Sequence, residues 1–401
     1  LGSMLILWCA ARAAISNDTR LVLLVAYLCG LAWSLHLTAL LSVPAALLLL
    51  LPRVPARPYF PLARQPLILV AILVLVVLGA SAVLFMLVRS AHDPAVNQAN
   101  PATFRALADA VQRRQYDVAP MWPRRAPLWL QFGNIFEYAD WQFALGLAPA
   151  PPPALLRTPF TVAYALLGIY GSVCHYRADM TSWRAWMLLL VSTSIGIVLY
   201  LNLRAGASYG YGVLPPGALH EARDRDYFFT WAFVAWGAWA GFGAATLATT
   251  CVNRLVSARS QRAASVALAI GLATLPCALN WRAIVAQRRD EHGAEAQAIH
   301  MLQSVPQRGI FLAVGDNDTY PLWYMQQVRA FRRDVIVVTL PLLAPVWYRQ
   351  ELQRRYQLLD SAFVRDWRGI PATVAELRKH ALAQGRVVIR SRLPVNSAIP
   401  K

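Results

Sequence analysis

Residues 306–348 read PQRGIFLAVGDNDTYPLWYMQQVRAFRRDVIVVTLPLLAPVWY, and this stretch decides what the C-terminal part of the chain is. A short apolar run at 309–314 meets the polar tetrapeptide Gly315-Asp316-Asn317-Asp318. A helical stretch follows, then a β-branched run at 335–340, then Pro341 and a second helical stretch. Short apolar runs bounded by turn residues and alternating with helical segments predict a βαβ unit. In such a unit the functional loop lies at the carboxyl end of a strand, which is where Gly315–Asp318 falls.

Outward from that stretch the composition changes. Of the 401 residues 57% are hydrophobic and 14% charged, where a soluble chain carries about a quarter charged. Mean hydropathy is +0.42. These values predict a polytopic membrane protein, and the 14 Trp and 15 Tyr fit bilayer interfaces. Spans are expected at 67–88, 155–174, 185–201, 227–250 and 264–279. The opening run 4–15 is too short to cross, and 21–51 reads as one broken, tilted helix or a re-entrant pair. Within it His36 is either a functional polar group at membrane depth or a histidine bonded to a neighbouring carbonyl.

The net charge of +18 comes almost wholly from Arg, since only Lys379 and Lys401 are lysines. No nucleic-acid motif accompanies it, which excludes that partner class. The Arg-rich short loops 52–66, 175–184 and 253–262 alternate with the long segments 89–153, 202–226 and 280–401. The positive-inside rule puts the short loops in the cytoplasm and the long segments outside. The five cysteines lie singly in apolar runs, without ligand or redox spacing. The seven histidines are scattered, and no phosphate-loop, nucleophile-elbow or zincin motif is present.

The expected fold is therefore mostly α: a transmembrane helix bundle over 1–280, with outer segments 89–153 and 202–226, and an extracytoplasmic α/β domain over 281–401. Both ends of the chain read as cut, with the C-terminal domain truncated. In the first outer segment, 97–116 turns into an amphipathic helix from Thr103, and Pro101 suits its start. An aromatic band at 121–147 is expected to lie along the membrane surface or to form a groove for a lipid substrate. The second outer segment ends in Glu221-Ala222-Arg223-Asp224-Arg225-Asp226-Tyr227, with five charges in seven residues. Either it is a self-paired, solvated loop, or its arginines meet the phosphate of a lipid-linked donor. Asp316, Asn317 and Asp318 could bind sugar hydroxyls or, as weak metal candidates, a divalent cation; the competing role is an N-cap by Asp318 for a helix opening at Thr319.

Several strings together resemble a known family. They are Asn97…Asn100-Pro101-Ala102-Thr103-Phe104…Arg114-Gln115-Tyr116; Gln131-Phe132-Gly133-Asn134…Tyr138-Ala139-Asp140-Trp141-Gln142-Phe143; and Val198-Leu199-Tyr200-Leu201-Asn202. Arg223-Asp224-Arg225-Asp226-Tyr227-Phe228-Phe229 and Gly315-Asp316-Asn317-Asp318-Thr319-Tyr320-Pro321-Leu322-Trp323-Tyr324 complete the set. The resemblance, over about 20–355, is to a bacterial multi-spanning family of unknown function, itself similar to the protein O-mannosyltransferases of the GT-C superfamily. It implies a GT-C-like bundle in a bacterial cytoplasmic membrane, moving a sugar from a polyprenyl-phosphate donor to a protein or cell-envelope glycan acceptor outside. The implied binding residues are Arg223, Asp224, Arg225, Asp226, Tyr227, Asn97, Asp316, Asn317, Asp318 and Trp323. The acidic catalytic base of that superfamily sits in the first outer loop and is expected upstream of Leu1; Gln98 and Asn100 stand where many relatives are acidic. A lipid-linked-saccharide flippase and a non-catalytic membrane scaffold are the alternatives.

Overall fold

A computed structural model describes residues 2–50, 66–114, 119–210, 212–221, 223–255, 260–286 and 292–390. The Arg-rich loop expected at 52–66 lies almost wholly outside them, and so does part of 253–262. The chain is mostly helical and divides into two compact units, Leu1–Val83 with Val118–Arg289, and Leu84–Asp117 with Asp290–Lys401. The second unit thus takes in 84–117, a stretch the sequence attaches to the bundle.

The first unit begins with α1 (Gly2–Ser16), α2 (Thr19–Leu35) and α3 (Val43–Leu49). The apolar run expected at 21–51 breaks at His36, which is extended and accepts the Thr38 N–H at Nδ1. That resolves His36 as the cap of the 3-10 turn Leu37–Ser42. Next come α4 (Pro66–Ala80), α5 (Leu128–Ala144), α6 (Thr158–Ala178), α7 (Met180–Val191), α8 (Thr230–Leu255) and α9 (Gln261–Trp281). Among the described residues, four continuous helical stretches are long and apolar enough to cross a membrane: Pro66–Ala91, Met180–Leu201, Asp226–Arg254 and Gln261–Val285. The protein is a multi-pass membrane protein. The span expected at 155–174 forms α6 but is not among the four; tyrosines, Ser172 and His175 dilute its apolar face. Of the α4 residues only Gly79 is buried, as suits a helix whose solvent is lipid.

Small residues set the packing of α6 on α8. A Cβ on Gly171 would strike the Trp239 carbonyl, and one on Gly243 the Leu167 carbonyl, so both glycines let the backbones touch. All five cysteines are unpaired, and Cys277 is exposed although it lies in an apolar run.

The second unit holds α10 (Gly293–Gln303), β1 (Ile310–Ala313), α11 (Asp316–Gln327), β2 (Ile336–Thr339), α12 (Val346–Tyr356), α13 (Ile370–Ala383) and β3 (Val388–Arg390). The sheet order is β2-β1-β3, all parallel, with Ile310 opposite both Ile336 and Val388. β1 and β2 are buried at every position, the mark of a sheet covered on both faces. The βαβ unit expected from the sequence is present, and β3 adds a third strand to it. The helix at Phe104–Val111 is capped by Thr103, whose Oγ1 accepts the Ala106 N–H at 3.2 Å. Pro101 therefore lies before the cap and not inside the helix; of the expected apolar face, Leu107 is buried and Phe104 is exposed.

Candidate functional site

The site of the first unit forms where the chain leaves α7 and returns to α8. Asn202 sits in the left-handed region at φ 46° and is fully buried, which turns the chain sharply. Its amide donates to the Pro120 and Pro123 carbonyls at 2.7 and 2.8 Å. The Gly206 N–H then bonds Asn134 on α5 at 3.2 Å, and Ala205 pairs back toward His220 and Glu221. These bonds carry the charged run 221–227 onto one face of α5.

On that face a single hydroxyl joins two carboxylates. Ser208 Oγ lies 3.2 Å from Glu137 Oε2 and 3.0 Å from Asp224 Oδ1. The Tyr138 hydroxyl, 3.4 Å from the same Asp224 oxygen, accepts the Arg225 backbone N–H at 3.1 Å. Ser208 has one proton, so it satisfies both carboxyl groups only if one of them is itself protonated. Burial pushes the Glu137 carboxyl up to about 7, against the Ser208 bond that lowers it, and the Asp224 charge adds to the rise. Glu137 is therefore the group that holds the shared proton near neutrality.

The arginines of the run differ. Arg225 pairs with Glu221 through Nε and Nη2, both at 3.2 Å, and donates to the Tyr227 hydroxyl at 2.9 Å. Arg223 is exposed, lies over the Tyr227 ring at 5.7 Å, and makes no ion pair among the described residues. Self-pairing thus describes Arg225 and leaves the Arg223 guanidinium available to an outside anion. Asp226 opens the turn into α8 and also lines a cavity of about 380 Å³ among α5, α6, α8 and α9. Gly237 and Gly241 line this cavity, and a Cβ on either would meet nothing. The rest of its wall is mainly apolar, with Phe143, Phe233 and Leu272. Fully buried Arg157 pairs with Asp140 at 2.7 Å and donates to the carbonyls of Ala148, Ala150, Pro151 and Pro152.

Gln131, Asn134, Glu137 and Asp140 are all buried, yet they belong to the band read only for its aromatics. Their three-residue spacing, a polar stripe along a helix, was the available signal. The aromatic residues instead turn partly outward, with Trp129 and Phe136 exposed.

The other candidates lie in the second unit. Asn97 and Trp323, far apart in sequence, line one small cavity of about 40 Å³. Asp316 and Asn317 are exposed in the first turn of α11. That helix opens at Asp316 with Gly315 as its N-cap, so Asp318 does not cap a helix starting at Thr319. Asp318 reaches back to accept the Val314 N–H at 3.2 Å, because only Val314 and Gly315 separate the strand from the helix. With β1 central, its carboxyl end is also the place where the chain leaves to either side of the sheet, a common ligand position. Among the described residues, the group with three metal-type donors within 4.8 Å is Asp360, Glu376 and His380, and it does not include Asp316 or Asp318.

Residues 1–57 match the family model described as the protein O-mannosyl-transferase TMEM260 N-terminal domain, and residues 294–364 match TMEM260-associated domain 2. Together the two matches cover about a third of the chain, 57 and 71 of its 401 residues. No curated protein matches the chain, and no solved structure does.

Proposed function

We propose that this protein is a membrane glycosyltransferase that moves a sugar from a polyprenyl-phosphate donor to a protein or cell-envelope acceptor. The observation that carries the reading is that Asp226 belongs at once to the charged run and to the wall of the 380 Å³ apolar cavity. The first isoprene units of the donor would lie against this apolar wall, and Arg223, three residues before Asp226, would meet its phosphate. In the transfer the acceptor oxygen bonds to the anomeric carbon as the bond from that carbon to the phosphate oxygen breaks. The bonding electron pair leaves with the phosphate, the acceptor proton goes to a base, and guanidinium stabilises the charge that develops. Arg223 is the phosphate ligand and Arg225, held by Glu221 and Tyr227, positions the run. The match at residues 1–57 to an O-mannosyltransferase domain supports sugar transfer as the chemistry. The alternation of Arg-rich short loops with long segments supports a C-terminal unit on the outer face of the membrane, which the sequence strings read as a bacterial cytoplasmic one.

The test is transfer of labelled sugar from polyprenyl phosphate to protein by the chain in lipid. Arg223→Ala/Arg225→Ala is expected to lower turnover about a hundredfold, the usual loss for a charge-stabilising group. Unchanged turnover overturns the phosphate role. Donor binding without transfer, in the unaltered chain, points to the flippase reading instead.

A further inference from the structure

The small cavity of the second unit has a chemistry that the donor site does not use. It is lined by Trp323, Trp347, Tyr348 and Tyr356, with Asn97, Gln98 and Glu351 among them. The Trp347 indole N–H is buried and has no acceptor, a cost that a ligand oxygen or a water would remove. One wall is the strap 95–98, which is tied down hard. Asp93 bonds Arg354 through both oxygens at 2.7 Å and Arg355 at 2.5 Å, and Arg355 also donates to the Pro94 carbonyl at 2.6 Å.

The charges of the walls narrow the ligand class. Glu351, half-buried and raised in pKa by that burial, lines the cavity and disfavours an anion. Arg354 and Arg355 on the same helix disfavour a cation, and Arg355 Nε lies 3.4 Å from Glu351. A purely apolar ligand would leave the indole N–H unpaired. A neutral molecule with a C–H face and adjacent hydroxyls answers all of these constraints. The size narrows it further: about 40 Å³ takes the space of three or four waters at roughly 10–15 Å³ each. That is one edge of a sugar ring, not a whole ring, and exposed Ala95 and Val96 mark where the remainder would meet solvent.

We propose that this cavity recognises one edge of a hexopyranose, its C–H face against Trp323 and Trp347 and its hydroxyls bonded by Asn97, Glu351 and the Trp347 N–H. Under the transferase reading the ligand is a sugar on the acceptor or product, but binding here needs no donor and no turnover.

Saturation-transfer NMR of the full chain in lipid nanodiscs tests it, using methyl α-mannopyranoside, methyl α-glucopyranoside and methyl β-galactopyranoside at millimolar concentration, with glycerol as control. At least one pyranoside is expected to receive saturation concentrated on one ring edge. Ala95→Trp, which fills the cavity mouth from an exposed position, and Glu351→Gln are each expected to lower that signal at least fivefold. Pyranoside signals no greater than glycerol's mean that the cavity holds only water, and overturn the proposal. A signal that survives Ala95→Trp, with the melting midpoint unchanged, overturns it as well. Arg223→Ala/Arg225→Ala is expected to leave the signal intact, so failure of the donor site is read separately from failure of this one.

Discussion

The helix α4 and the strand β1 are built from the same kinds of side chain and treat them in opposite ways. Leu67 and Leu73 on α4 are 82% and 64% exposed, whereas Ile310 and Leu312 on β1 are 0% and 1% exposed. Charge is inverted too. In the bundle unit Arg157 and Asp140 form an ion pair with side chains 0% and 7% exposed; in the sheet unit the side chains of Arg354 and Asp93 are 54% and 46% exposed. The difference teaches that the partner medium sets the pattern. A lipid-facing helix gains nothing by hiding leucine, so its interior is free to hold polar machinery. A water-facing sheet must hide its leucines and can leave a pair such as Arg354–Asp93 in solvent, while the side chains of Arg355 and Glu351 on the same helix are 16% and 14% exposed.

The largest effect that would sharpen this comparison is at the buried pair. Arg157→Met leaves the Asp140 carboxylate uncompensated and is expected to cost about 3–5 kcal/mol, seen as loss of monodisperse protein on extraction. Adding Asp140→Leu should recover most of the yield. Arg157→Met with normal yield and melting would break the claim that the bundle keeps charge inside.

Next in size is a matched pair of truncations. Leu312→Ala empties a fully packed position and is expected to cost about 2–5 kcal/mol, lowering the melting midpoint of the sheet unit. Leu73→Ala, facing lipid, is expected to stay within about 0.5 kcal/mol. Equal losses would show that α4 has a protein partner on its outer face.

The smallest effect concerns Glu137. Its folded value near 7 lies above the unfolded value of about 4.3, so the fold favours the protonated acid. That contribution is complete below the unfolded value and is lost as pH rises through 7. The melting midpoint should therefore fall between pH 5 and pH 8, by the equivalent of about 1–2 kcal/mol, and Glu137→Gln should flatten the dependence. A wild-type profile already flat over that range would remove Glu137 as the proton holder.

Much of the architecture is legible in the sequence. The apolar runs at 309–314 and 335–340 announced β1 and β2, and the apolar stretches at 67–88, 185–201, 227–250 and 264–279 announced the four spans. The run 221–227 stood out by its charge density. The acids of α5 did not, because Glu137 and Asp140 are diluted among tryptophans and phenylalanines, and a count of aromatics passes over a stripe that only a helical wheel reveals. The pairing of Asn97 with Trp323 had no local signal at all, since more than two hundred residues separate them.

What the sequence by itself determined is the solvent of each segment. Hydropathy and period are properties of neighbouring residues, so they survive without knowledge of the fold. Only the tertiary structure decided which charges are committed and which are available. Arg223 and Arg225 are two residues apart and chemically identical, yet Glu221 and Tyr227 bind one and leave the other exposed. That outcome rests on distances of a few ångströms between groups brought together by the Asn202 turn and the face of α5, and no linear pattern encodes such distances.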